Sequence, residues 1–162
     1  MLTDSQIEMV QESFAKVVPI ADTAASIFYG RLFDIAPQVK PMFGNADMSE
    51  QGKKLMTTIG IAVKGLTDLE KIVPTVQRLG VAHIEYGVKK EHFPIVGEAL
   101  LYTLEQGLGD DWSAELSEAW ATTYQVLADT MIDAMEKAVA EKQASKGFME
   151  KVKDALGFGE KA

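Results

Sequence analysis

Apolar side chains return every three or four residues along almost the whole chain, and no stretch keeps the strict alternation of a strand. A chain with that period can bury its apolar stripes only by packing helix against helix. Thr3 and Gln6 have the spacing of a capping box, and Ile7, Val10, Phe14 and Val17 then mark one face of a first helix. Pro19 suits the first turn of a second helix, whose stripe of Ala24, Ile27, Phe28 and Ile35 runs to Pro37. Pro37 and Pro41 leave room only for a tight corner ending at Met42 and Phe43. Ser49 is placed to cap a helix carrying Leu55, Ile59, Ala62, Val63 and Leu66. Asp68 opens the next segment, in which Pro74 starts or kinks a helix with Val76, Leu79 and His83 on one side, ended by Gly87. Pro94 begins a helix through Leu108, and Ser113 caps the longest one, with Leu116, Trp120, Tyr124, Leu127, Met131 and Met135 as its stripe.

The fold class expected from this pattern is all-α, with about seven or eight elements joined by short loops. Up-down bundles use helices of similar length with short turns, whereas here the helices are unequal and short prolyl or polar corners follow residues 36, 66 and 87. Crossed-helix packing is favoured over a simple bundle.

Length and composition narrow the chemistry. The chain has 162 residues, enough for one domain with a sizeable core. It has no cysteine, which excludes disulfides, thiolate nucleophiles, zinc-thiolate and iron–sulfur sites, and thioether-linked cofactors. Two histidines cannot build a three-His zinc site. The net charge of -8 argues against nucleic acid, whose phosphates need clustered positive charge. The N-terminal stretch lacks a basic start followed by an apolar run, and no apolar run approaches the roughly 18 residues of a spanning helix, so a cytoplasmic protein is expected.

Charge is unevenly spread. Residues 1–136 hold 10 Lys+Arg and 20 Asp+Glu, whereas residues 137–162 hold 6 and 4. The chain therefore divides into a main domain, 1–136, and a C-terminal extension, 137–162, part of which has the pattern of an amphipathic helix. In the extension Phe148, Met149, Val152, Ala155 and Leu156 fall on one helical face, with Lys146, Lys151 and Lys153 nearby. Two readings follow: a frayed or docked extension of the main domain, or an interfacial helix that touches acidic lipid or a partner.

Common catalytic signatures are missing. There is no GxxxxGK[ST] loop, no GxGxxG after a strand, no GxSxG and no HExxH. A di-iron bundle needs Glu three residues before His, but Gly80 and Lys89 stand at that offset from His83 and His92. His83 shares a helix face with Val76 and Leu79, so its ring should point inward. It is either a core histidine satisfied by a carbonyl or one axial ligand of an iron macrocycle held between apolar walls. His92, after Lys89, Lys90 and Glu91, reads as a residue of a polar corner.

Residues in order along the chain resemble the globin family: Tyr29, Phe43 after the two-proline corner, Gln51 and Leu55 four apart, then His83. The fragments FYGRLFDIAPQVKPMF, HIEYGVKKEHFPIVGEALL and AWATTYQVLAD are similar to bacterial single-domain globins and to the globin domain of flavohaemoglobins, over about residues 2 to 136. The resemblance implies a globin fold, a crossed-helix sandwich around haem b (iron protoporphyrin IX). It implies His83 as proximal ligand and metal-binding residue, Phe43 packed on the haem face, Tyr29 and Gln51 as the distal pair, and Leu55 as apolar wall. Ile95, Val96 and Tyr124 would line the pocket and Lys54 would reach a propionate. A phenol OH or amide NH donating to a partly negative gas ligand is worth roughly 1.5–3 kcal/mol, which slows ligand loss by about one to two decades.

Two positions depart from the flavohaemoglobin pattern. Where those globins place a tyrosine and a glutamate behind the proximal histidine, this chain has Phe93 and Met135. Without a carboxylate partner the imidazole should donate less electron density to iron. The leading expectation is reversible binding of dioxygen, nitric oxide or carbon monoxide at a five-coordinate haem, serving storage, delivery or sensing rather than catalysis. The alternatives are a nitric oxide dioxygenase fed by a separate reductase, a haem-based gas sensor, and a haem-free interaction module.

Overall fold

Thr3 opens the first helix as its spacing to Gln6 predicts: the Gln6 N–H donates to Thr3 Oγ1 at 3.1 Å and the Thr3 N–H to Gln6 Oε1 at 3.0 Å. In the computed structural model, which describes residues 2–156, six α-helices follow: α1 (Asp4–Val17), α2 (Ala21–Ile35), α3 (Met48–Lys64), α4 (Leu69–Glu85), α5 (Phe93–Leu108) and α6 (Ala114–Leu156). Short 3-10 segments make the corners at Val18–Ile20, Pro37–Phe43, Gly65–Thr67, Lys90–His92 and Gly109–Asp111. No strand occurs among the described residues. None of the described helices is long and apolar enough to cross a membrane.

Several helix boundaries differ from expectation. Asp47, not Ser49, caps α3: its Oδ1 accepts from the N–H groups of Ser49 and Glu50, and a carboxylate there also opposes the positive end of the helix dipole. Pro19 falls in the 3-10 turn before α2. Pro74 is inside α4 as its sixth residue. Gly87, at φ 82°, follows the last turn of α4 as expected. Ser113 caps α6 through the Leu116 N–H, at 3.1 Å.

Helices distant in sequence pack together: α2 on α5, α4 on α6, and α1 on α6, with α3 laid across α2. Two of these crossings are close because a glycine sits at the contact. A Cβ on Gly52 would stand 2.8 Å from the Ala25 Cβ, and one on Gly80 would stand 2.6 Å from the Met131 carbonyl oxygen. The main core lies between α1, α3, α5 and α6 and includes Val10, Phe14, Leu104 and Trp120. Its one buried side-chain pair is satisfied in sequence: Trp120 Nε1–H donates to Ser13 Oγ at 2.9 Å, which donates to the Val10 carbonyl at 3.0 Å.

The longest helix, α6, has 43 residues and passes position 136 unbroken. What changes there is burial. Met135 is the last of its residues to be buried, and beyond it Phe148, Met149 and Leu156 are exposed. The extension is therefore not docked on the body over 137–156. Residues 157–162 of it lie outside the described residues.

Candidate functional site

Besides the main core, the described residues form two further apolar clusters. The first joins α2, the Pro37–Phe43 corner, α3 and α5: Phe28, Leu32, Ala36, Val39 and Ala99 are buried, and Tyr29, Phe43, Leu55, Ile95 and Val96 pack on them half-buried. Five residues singled out from the sequence thus meet in one place, supplied by four elements. The close approach at Gly52 brings this about, because it presses the α3 turn holding Gln51 and Leu55 onto α2 and Tyr29.

Tyr29 sits among aromatic rings. It meets Phe43 edge-on at 5.5 Å between centroids and Phe28 at 5.0 Å, and stacks on Phe33 at 6.0 Å. Burial pushes its phenol up to about 12. The hydroxyl is hence a proton donor throughout the neutral range. It donates to the main-chain carbonyl of Gln51 at 3.4 Å, a long bond for a hydroxyl donor.

The second cluster lies where α4, α5 and α6 converge. Phe93, Ala128 and Met135 are buried there, with Ile84, Val88, Tyr124, Met131 and Ile132 packed around them. Phe93 and Met135 belong to the same apolar cluster as Ile84, the residue after His83. Tyr124 belongs to this cluster rather than the first. Its hydroxyl donates to the Phe93 carbonyl at 2.7 Å, and its ring fills the space left by Gly97. Burial raises its phenol well above the usual tyrosine range.

His83 is half-buried near the end of α4, its ring edge-on to Tyr86 at 5.9 Å. Its Nδ1 lies 2.5 Å from the Leu79 carbonyl oxygen. A carbonyl only accepts, so Nδ1 carries the proton and Nε2 keeps a free lone pair. This is the bond the core-histidine reading asks for, and a metal-ligating histidine makes the same kind of bond through its second nitrogen. His92 behaves as expected of a corner residue: its Nδ1 accepts from the Lys89 N–H at 2.9 Å.

A Cβ on Gly87 would stand 3.8 Å from the Met42 Cε, which puts the turn after α4 next to the Pro37–Phe43 corner. Gln51 is half-buried and Lys54 is exposed on α3. Phe28 and Met42, read from the sequence only as a stripe residue and a corner residue, belong to the first cluster, as does Phe33, which was not singled out. The aromatic spacing of Phe28, Tyr29 and Phe33 was the available signal. Arg31 ties α2 to α5 beside them, with Nη2 at 3.5 Å from Glu98 Oε1 and the guanidinium 4.5 Å over the Tyr102 ring.

No group of three or more His, Asp or Glu side chains able to hold a bare metal ion occurs among the described residues. One imidazole nitrogen and extensive apolar surface are what haem requires, and both are present. A globin family model matches residues 26–131, which span every residue of the two clusters except Met135 and Ile132.

The chain is a globin.

This globin is 34% identical over 147 residues to a flavohemoprotein of Rhodopirellula baltica, covering 90% of this chain and 36% of that one. It is 30% identical to leghemoglobin-1 of Lupinus luteus, covering 85% of this chain and 98% of that one. Among solved structures, a bacterial globin from Campylobacter jejuni superimposes with a TM-score of 0.77 at 29% identity, covering 85% of this chain and 99% of that one. The chain thus spans about a third of the length of the flavohemoproteins it matches.

Proposed function

We propose that this globin holds haem b through Nε2 of His83 and binds dioxygen reversibly, along with nitric oxide and carbon monoxide. The observation that carries the reading is the 2.5 Å contact between His83 Nδ1 and the Leu79 carbonyl, which fixes the tautomer that presents Nε2. Haem, when bound, supplies the iron at which a diatomic gas is held.

The remaining roles belong to the chain. Phe43 packs on the macrocycle, and Leu55, Ile95 and Val96 extend the apolar wall beside it, excluding water that would promote loss of the ligand or oxidation of the iron. Tyr124, with its hydroxyl committed to Phe93, contributes its ring to the pocket edge. Lys54 pairs with a propionate at the surface. Tyr29 exchanges its long bond to Gln51 for a bond to the gas, and the Gln51 amide adds a second donor. Similarity to a leghemoglobin and to flavohemoproteins supports haem as the group and a gas as the ligand.

A second reading is catalytic: nitric oxide and dioxygen would give nitrate, the one electron that this takes per turnover coming from a separate reductase. Relatives whose name couples flavin to haem favour it. Against it stands the apolar setting of Phe93 and Met135, which offers the imidazole no carboxylate. Stopped-flow mixing of the oxygen-saturated ferrous protein with nitric oxide and a flavin reductase separates the readings. A single stoichiometric oxidation is expected for reversible binding; sustained turnover would make the protein an enzyme. The same site would also serve a gas sensor, whereas a protein that takes up no haem would be an interaction module.

A further inference from the structure

From the structure we propose that the overhanging end of α6 is a membrane-surface anchor that lies on anionic phospholipid. Beyond Glu136 the helix runs for 20 described residues, about 30 Å, without joining any of the three apolar clusters. A lone helix of that length is marginal in water, and this one exposes Phe148 at 64%, Met149 at 52% and Leu156 at 61%.

The distribution of charge around the helix identifies the occupant. Wound at about 3.6 residues per turn, Phe148, Met149, Val152 and Leu156 form one face. Lys142, Lys146 and Lys153 border it on one side and Lys151 on the other. Glu150 and Asp154 fall on the opposite face, and Glu141 interrupts the stripe nearer the body. Lysines at both edges of an apolar face put their charges at the level of lipid headgroups while the face enters the acyl boundary. Pairing with a second copy is disfavoured by the same pattern, because lysine meets lysine across the seam in either helix orientation.

The acidic main domain opposes this only at short range. Its 20 Asp+Glu and 10 Lys+Arg would be repelled by an anionic surface, but charges more than a Debye length of about 8 Å from the lipid are largely screened at physiological salt. The repulsion therefore acts only through the part of the body nearest the surface. The helix would not span the bilayer, since no described helix is long and apolar enough.

Flotation of the full chain with vesicles tests this, using phosphatidylcholine alone and an equimolar mixture with phosphatidylglycerol. Binding to the mixed vesicles only, weakened by added salt, is the expected result. Replacing Lys146 and Lys153 together by Gln should weaken it about 30-fold. Phe148→Ser should weaken it at least about tenfold. Both changes lie outside the body, so the helical circular dichroism of the main domain serves as the folding control. Equal binding to both vesicle types, no binding to either, or a stable dimer that Phe148→Ser dissolves would overturn the proposal.

Discussion

The Tyr29 hydroxyl and the main-chain carbonyl of Gln51 lie 3.4 Å apart, joined by a hydrogen bond that is longer than a hydroxyl donor prefers. A weak resting bond is cheap to exchange, so the phenol can turn to a gas ligand at little cost. Tyr29→Phe should then raise the dioxygen dissociation rate about tenfold or more, with little change in thermal stability. Laser flash photolysis or stopped-flow displacement by carbon monoxide reads the rate. An unchanged rate would mean that the hydroxyl stays on Gln51.

The pH dependence follows from the burial of the same group. An exposed phenol ionises near pH 10, whereas that of Tyr29 is pushed up to about 12. Because the folded value is raised, the contribution of the neutral phenol to stability is complete below about pH 10 and is lost as pH rises through about 12. Gas dissociation should accordingly stay flat across pH 10 in the wild type. A rise centred there would contradict the buried setting of Tyr29.

Met135→Glu probes the apolar backing of His83. Met135 is 7% exposed, in one apolar cluster with Phe93 and Ile84. A carboxylate there would strengthen imidazole donation and favour the ferric form. A tenfold shift in that preference lowers the midpoint potential by about 59 mV. Spectroelectrochemistry measures it, and an unmoved potential would show that position 135 does not reach the imidazole.

Helix crossings make a separate prediction. Gly80→Ala drives a methyl into the Met131 backbone, which cannot yield as a side-chain tip would, and should destabilise the protein by about 1–3 kcal/mol. Gly30→Ala meets nothing within 4 Å in mid-helix and should stabilise by about 0.5–1 kcal/mol. Thermal denaturation of the two variants side by side decides whether α4 rests on α6 as closely as described.

Much of this architecture was legible in the chain because local rules carried it. The Thr3–Gln6 box, Ser113 and Gly87 act within a few residues of themselves, and each sits where its spacing placed it. Tyr29, Phe43, Gln51, Leu55 and His83 were singled out through family resemblance; the structure packs Tyr29, Phe43 and Leu55 on one cluster, with the Gln51 carbonyl bonded to Tyr29, and their roles remain a proposal. What escaped depended on competition or on distance. Asp47 outcompeted Ser49 as a cap because its carboxylate accepts two N–H groups. The Tyr124 ring packs into the space left by Gly97, 27 residues earlier, a contact that no local pattern announces. The continuity of α6 past 136 was masked by a change of charge that ends burial without ending the helix.

The central claim is that His83 would hold a haem through Nε2, and haemin titration of the protein freed of haem tests it most directly. Absorption spectra are taken in the ferric, ferrous and carbon monoxide forms for the wild type and for His83→Gly, with and without added imidazole. The account predicts a saturable Soret band at one haem per chain in the wild type, its loss or redistribution in His83→Gly, and its restoration by imidazole. No Soret band in the wild type, or spectra in His83→Gly identical to wild type without imidazole, would contradict it.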